Sequence, residues 1–137
     1  MITAVDTNIL IDILEPDPDH GPASRDALKR CMREGALVCC EVVWAEMATA
    51  YSSKVDKLTD ALDRLGIGFS PMSREAALEA ARCWHVYRRK EKKRERIVAD
   101  FLIGGHALTQ CNRLLTRDRG FYRKYFKSLE IVPSRMK

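Results

Sequence analysis

Ile2-Thr-Ala-Val-Asp-Thr-Asn-Ile-Leu-Ile-Asp-Ile-Leu14 contains a change of hydrophobic period that decides the fold. Ile2 to Val5 is a short, β-branched apolar run and reads as a buried strand. Asp6, Thr7 and Asn8 then supply a helix start, because short polar side chains satisfy the free N–H groups of a first turn. Ile9, Leu10, Ile13 and Leu14 repeat at helical spacing, and Asp12 is expected to face solvent from that helix.

The same alternation continues outward. Pro16, Pro18, Gly21 and Pro22 predict a loop, and the spacing predicts a helix over 24–34, ended by Gly35. A short apolar strand follows at 36–40, then helices at 41–53 and 56–65 and a weakly supported strand at 66–70. Pro71 and Ser73 open a long helix with Ala76, Ala77, Ala80, Ala81, Trp84 and Tyr87 on one stripe. A further helix is expected over 97–110, a strand over 113–116, a turn over 117–120 and a helical or irregular turn over 121–126. The last strand, over 129–132, is closed by Pro133. Strands separated by helices predict an α/β sandwich with a mostly parallel sheet of about five short strands, held in a single domain over 1–137.

A chain of 137 residues, 46% hydrophobic and 31% charged, is globular in composition and large enough to fold without disulfides or a structural metal. No apolar run approaches the length of a membrane span. Asp6 and Asp12 interrupt the N-terminal apolar stretch, which also lacks a positive leader, so no secretory signal is expected. Cys31, Cys39, Cys40, Cys83 and Cys111 contain no C-x-x-C pair, and an odd number of thiols predicts free cysteines in a reducing, cytoplasmic setting. His20, His85 and His106 show no metal-ligand spacing. The Gly-rich dinucleotide fingerprint, the P-loop, H-E-x-x-H and a nucleophile elbow are all absent.

The net charge of +5 is concentrated. Arg88-Arg-Lys-Glu-Lys-Lys-Arg-Glu-Arg96 carries seven basic and two acidic residues, and the remaining chain balances. One basic stretch on a neutral domain attracts polyanions, nucleic acid above all; the plainer reading is a solvated helix end.

Four acids stand where chemistry is usually placed. Asp6 and Asp118 each follow a predicted strand, and the carboxyl ends of parallel strands form the ligand crevice of open α/β sheets. Taken singly, the first also reads as a helix cap and the second as a turn residue. Glu46 falls on the apolar side of its helix beside Val43, Met47 and Ala50. Asp100 shares a face with Ile97, Ile103, Gly104 and Ala107, and also suits a helix N-terminus. Carboxylates that converge need cations to stay ionised, and all-oxygen donor sets favour Mg2+ or Mn2+. Such centres serve phosphoryl chemistry.

Val5-Asp-Thr-Asn-Ile-Leu10, Glu46 in Val-Val-Trp-Ala-Glu-Met, Val98-Ala-Asp-Phe-Leu-Ile103 and Leu115-Thr-Arg-Asp-Arg-Gly-Phe121 resemble, in order and spacing, the four acidic motifs of PIN-domain ribonucleases. The length and the Thr-Arg-Asp motif resemble in particular the VapC-type toxins of toxin–antitoxin systems, over residues 1 to about 132. The resemblance implies a PIN-like three-layer sandwich and an acidic pocket of Asp6, Glu46, Asp100 and Asp118. That pocket would bind one or two Mg2+ or Mn2+ ions and cleave RNA through a metal-activated water. Asp6 and Asp100 would be the principal ligands and Asp118 a direct or water-mediated one, while Glu46 would bind a second ion or orient the water. Asn8 and Thr116 would hold the carboxylates by hydrogen bonds. Such proteins generally form homodimers and are silenced by a cognate antitoxin. Arg88, Arg89, Lys92, Lys93, Arg94 and Arg96, with Arg117 and Arg119 beside Asp118, would then hold RNA phosphates. Trp84 is expected to pack in the core, with base stacking by Trp84 or Tyr87 as the lesser alternative.

Two other classes stay open from sequence. One is an RNA- or partner-binding module whose acidic site is vestigial. The other is a Mg2+-dependent phosphatase or phospho-acceptor domain with Asp6 as nucleophile, a reading weakened by Asn8, since the dehalogenase-like phosphatases place a second Asp there.

Overall fold

The computed structural model describes residues 1–51, 54–92 and 95–133, and of Tyr51 the backbone only. The elements run β1 (Ile2–Val5), α1 (Thr7–Leu14), α2 (Gly21–Glu34), β2 (Ala36–Cys39), α3 (Glu41–Tyr51), α4 (Val55–Arg64), β3 (Ile67–Phe69), α5 (Arg74–Lys90), α6 (Val98–Gln110), β4 (Arg113–Thr116), α7 (Arg119–Tyr125) and β5 (Glu130–Pro133).

The five strands form one sheet in the order β3-β2-β1-β4-β5, and every pairing is parallel. Parallel sheets are covered on both faces, so their central strands are apolar on both sides. Thr3, Ala4 and Val5 of β1 and all four residues of β4 are accordingly buried. Arg113 is tolerated there because its Nε donates to Thr3 Oγ1 at 2.9 Å and its guanidinium pairs with Glu34 at 3.4 Å. Right-handed crossovers put α1–α4 on one face and α5–α7 on the other. Within each group α1 meets α2 and α3, α3 meets α4, and α5 meets α6 and α7, while α3 also touches α6.

Local chemistry explains the element ends. Ser73 caps α5, its Oγ accepting from Ala76 N at 3.1 Å, and its own N–H donates to Gln110 Oε1 at 2.8 Å, tying the start of α5 to the end of α6. Gly66, at φ 71°, takes the left-handed conformation that ends α4. The alanine stripe of α5 has a packing reason: a Cβ on Gly105 of α6 would lie 2.4 Å from the Ala76 carbonyl oxygen. Around Phe101, the rings of Trp84, Tyr87, Phe121, Tyr125 and Phe126 join α5, α6 and α7.

The structure departs from expectation at several ends and one side chain, and Pro133, expected to close the last strand, is instead its final residue, paired with Thr116. α2 starts at Gly21 rather than 24, because Pro22 sits in its first turn, where a missing N–H costs nothing. α7 begins at Arg119, directly after Asp118, and takes in half of the predicted turn. β2 ends at Cys39, and Cys40 passes into the α3 entry. Asp12 does not face solvent: it is 1% exposed, accepts from Ser24 Oγ at 2.7 Å and takes a two-point contact from Arg117. The apolar stripe of α1 is wide enough to carry a polar residue inward, because the facing helix and the 117 loop bring partners for it. Among the described residues all five cysteines are free, and no helix is long and apolar enough to cross a membrane.

Candidate active site

The sheet order places a switch between β1 and β4. From β1 the chain moves one way to β2 and β3, while β4 and β5 lie on the other side. Crevices at the carboxyl ends of strands open at such a point. Asp6 follows β1 immediately, and its backbone N–H donates to Leu115 O at 3.0 Å, which pins it against β4. Asp118 stands two residues beyond β4.

Asp6 is 6% exposed. Its Oδ1 accepts from Thr7 N at 2.7 Å, and its Oδ2 accepts from Thr116 Oγ1 at 2.7 Å and from Asn8 Nδ2 at 3.4 Å. Asp6 is thus the helix cap and a crevice residue at once. The Asn8 amide also donates to Thr116 Oγ1 at 3.5 Å, and its Oδ1 accepts from Arg117 N at 3.3 Å. Asp118 N donates back to Thr116 Oγ1 at 3.0 Å. A short lattice of side chains therefore joins the two strand ends.

Glu46 enters from α3. It is half-buried and accepts from Thr7 Oγ1 at 2.7 Å, so its partner is a hydroxyl on the first motif rather than a lysine or arginine. Asp100 lies in the first turn of α6, where Oδ2 accepts from Ile97 N at 3.3 Å. Tyr122 of α7 is buried beneath them and donates to Asp100 O at 3.5 Å.

The electrostatics follow from this crowding. Burial pushes the Asp6 carboxyl up to about 6; its hydrogen bonds from Thr116 and Thr7 oppose the rise, and repulsion from Glu46 and Asp100 adds to it. Burial also raises Asp100, against the Ile97 N–H bond and the nearby Arg96 charge. The Tyr122 phenol is raised well above its ordinary range, by burial first and then by Asp6, Asp100 and Asp118. Among the described residues no Lys or Arg pairs with Asp6, Glu46 or Asp100.

Asp118 differs. Arg96 grips it with both guanidinium nitrogens, Nη1 on Oδ2 and Nη2 on Oδ1, the latter at 3.1 Å. Of the basic residues expected at RNA, Arg88 and Arg89 lie in the exposed last turn of α5, and Lys92 is exposed just beyond it. Arg117 is held by Asp12 and Arg119 is partly exposed; Lys93 and Arg94 lie outside the described residues. Tyr87 is 4% exposed and accepts from Arg96 N at 2.9 Å, so its ring serves packing rather than stacking. Trp84 packs on the core beside Phe101, as expected of it.

The model of the PIN domain matches residues 3–127. This chain belongs to the PIN family.

The PIN assignment agrees with solved structures that share the fold. One is VapBC2 from Rickettsia felis, bound to a DNA fragment from its promoter, at 18% identity and a TM-score of 0.75 over 97% of this chain and 98% of that one. A second is VapBC-1 from nontypeable Haemophilus influenzae, at 17% and 0.75 over 98% of both chains. A third is a toxin–antitoxin complex from Klebsiella pneumoniae, at 19% and 0.64 over 98% and 99%. No curated protein matches the sequence.

PIN domains typically bind divalent metals and are usually nucleases. Among the described residues of this one, no three His, Cys, Asp or Glu side chains stand as a ready coordination shell. The donor set nevertheless suits a hard ion: Asp6 is a buried oxygen donor with no cation paired to it among the described residues, pressed by two further carboxylates. Sequence reasoning missed Thr7, which bridges the first two acidic motifs, and the Asp12–Arg117 pair behind Asn8. The adjacency of Thr7 to Asp6 was a visible signal for the first; the second depends on a contact 105 residues apart.

Proposed function

We propose that this PIN domain is a Mg2+- or Mn2+-dependent endoribonuclease of the VapC type. The observation that carries this reading is Asp6: a buried carboxylate between two strand ends, with Glu46 and Asp100 beside it and no cation to offset them among the described residues. Asp6 and Asp100 would hold the metal, with Glu46 contributing to its shell and Asp118, gripped by Arg96, available to it only once that contact opens. When bound, the ion supplies charge neutralisation and Lewis acidity at an RNA phosphodiester. Thr116, Thr7 and Asn8 fix the Asp6 oxygens, so the carboxylate meets its ligand already oriented. Glu46, held by Thr7 Oγ1, keeps an oxygen able to orient a water. Arg88, Arg89 and Lys92 extend a cationic surface for the RNA backbone.

The fold shared with VapBC complexes supports a cognate antitoxin as partner, and we include a homodimer in the proposal. The test is incubation of the protein and its Asp100→Asn variant with total RNA in Mg2+, Mn2+ or EDTA, followed by sequencing of new RNA ends. Discrete ends are expected only from the wild type and only with metal. Cleavage undiminished in Asp100→Asn would overturn the reading. Metal-indifferent RNA binding without cleavage would favour a binding module instead.

A further inference from the structure

The acidic centre is electrostatically lopsided. Asp6, Glu46 and Asp100 have no ion pair among the described residues, whereas both oxygens of Asp118 are occupied by the Arg96 guanidinium. Arg96 is fixed from two further directions. Its guanidinium carbon lies 4.4 Å from the centroid of the Phe121 ring, and its backbone N–H donates to Tyr87 Oη at 2.9 Å. The two side chains remain about one-third exposed, at 33% and 32%, so the pair sits at the mouth and can be reached from solvent. A planar guanidinium on a carboxylate satisfies both oxygens at once, which a lysine cannot reproduce.

We propose that Arg96 is a positioning residue that withholds Asp118 from metal coordination in the resting chain. This rests on the metal-centre reading above. A divalent ion entering at Asp6 and Asp100 meets uncompensated oxygens, but to gain Asp118 it must displace a two-point contact. The guanidinium so released would be free to take up a phosphate. The resting protein therefore holds its first ion with three of the four carboxylates at most.

Mn2+ binding, measured without RNA by titration calorimetry and by the fall in free-ion spin resonance, separates the possibilities. Arg96→Met, which keeps an unbranched apolar side chain at this position and removes the guanidinium, is expected to tighten Mn2+ binding roughly tenfold, within the range of ordinary coupling between sites. Asp118→Asn in the Arg96→Met background should undo the whole gain, and its effect in the wild type should be clearly smaller, the signature of coupled neighbours. Arg96→Lys should fall between. An affinity unmoved by Arg96→Met, or an equal loss from Asp118→Asn in both backgrounds, would overturn the proposal. If Asp6→Asn abolishes Mn2+ binding while Arg96→Met does nothing, the metal centre stands and only the role of Arg96 falls. If no variant binds Mn2+, both fall.

Discussion

Asp6 carries opposing demands. Its folded carboxyl sits at about 6, above the 3.8 of an ordinary aspartate. A raised acid favours the fold while protonated, so its contribution is complete below about pH 4 and is lost as pH rises through about 6. Above that, the metal-free fold bears an ionised buried carboxylate at a cost of up to about 3 kcal/mol. Asp6→Asn should therefore stabilise the protein in EDTA by about 1–3 kcal/mol at pH 7.5, with the gap vanishing near pH 4. Urea unfolding across that range checks it, and a gap independent of pH would assign the cost elsewhere. Mg2+ should reverse the ranking, since it stabilises only the carboxylate form. At this scale the sequence was legible where a residue touches its own neighbours, as Asp6 does with Thr7 and α1. It was illegible where the partner lies far along the chain. Asp12 looked solvent-facing because nothing near it in sequence announces Ser24 and Arg117.

At the scale of elements, period and punctuation located all five strands to within about two residues. The errors fell at ends governed by fine chemistry, such as Pro22 in the first turn of α2. The alanine stripe of α5 was readable as a packed face, but its partner was not, because only the structure sets Gly105 against it. Gly105→Ala would add about 1 kcal/mol of helix propensity, yet its Cβ would meet a backbone oxygen at 2.4 Å, and overpacking of this kind costs about 1–3 kcal/mol. The helix gain does not cover an unyielding backbone contact, so a net loss of about 1–2 kcal/mol is expected in urea unfolding. Gly120→Ala in α7, where nothing lies within 4 Å, is the control and should be neutral or mildly stabilising. Equal effects of the two would remove the close α5–α6 approach as the reason for Gly105.

For the whole molecule, charge and connectivity matter most. The excess basicity resides in residues 88–96, and Arg96 within it is bound to Asp118, so fewer cations are free for RNA than the sequence suggests. RNA binding in EDTA should weaken linearly with log salt, and neutralising Arg88, Arg89 and Lys92 together should reduce that slope by about 2, at about 0.7 per phosphate contact. Filter binding at several salt concentrations reads this; an unchanged slope would move the RNA to another face. The pairing of β1 with β4 has a consequence in time as well as in space. The hydroxyl of Thr116 that orients Asp6 lies 110 residues downstream of it. During synthesis, Asp6 emerges near the start while its companion strand is made near the end. A chain interrupted before β4 thus has a first motif but no crevice, and whatever chemistry the finished centre performs is withheld from every unfinished copy on the ribosome.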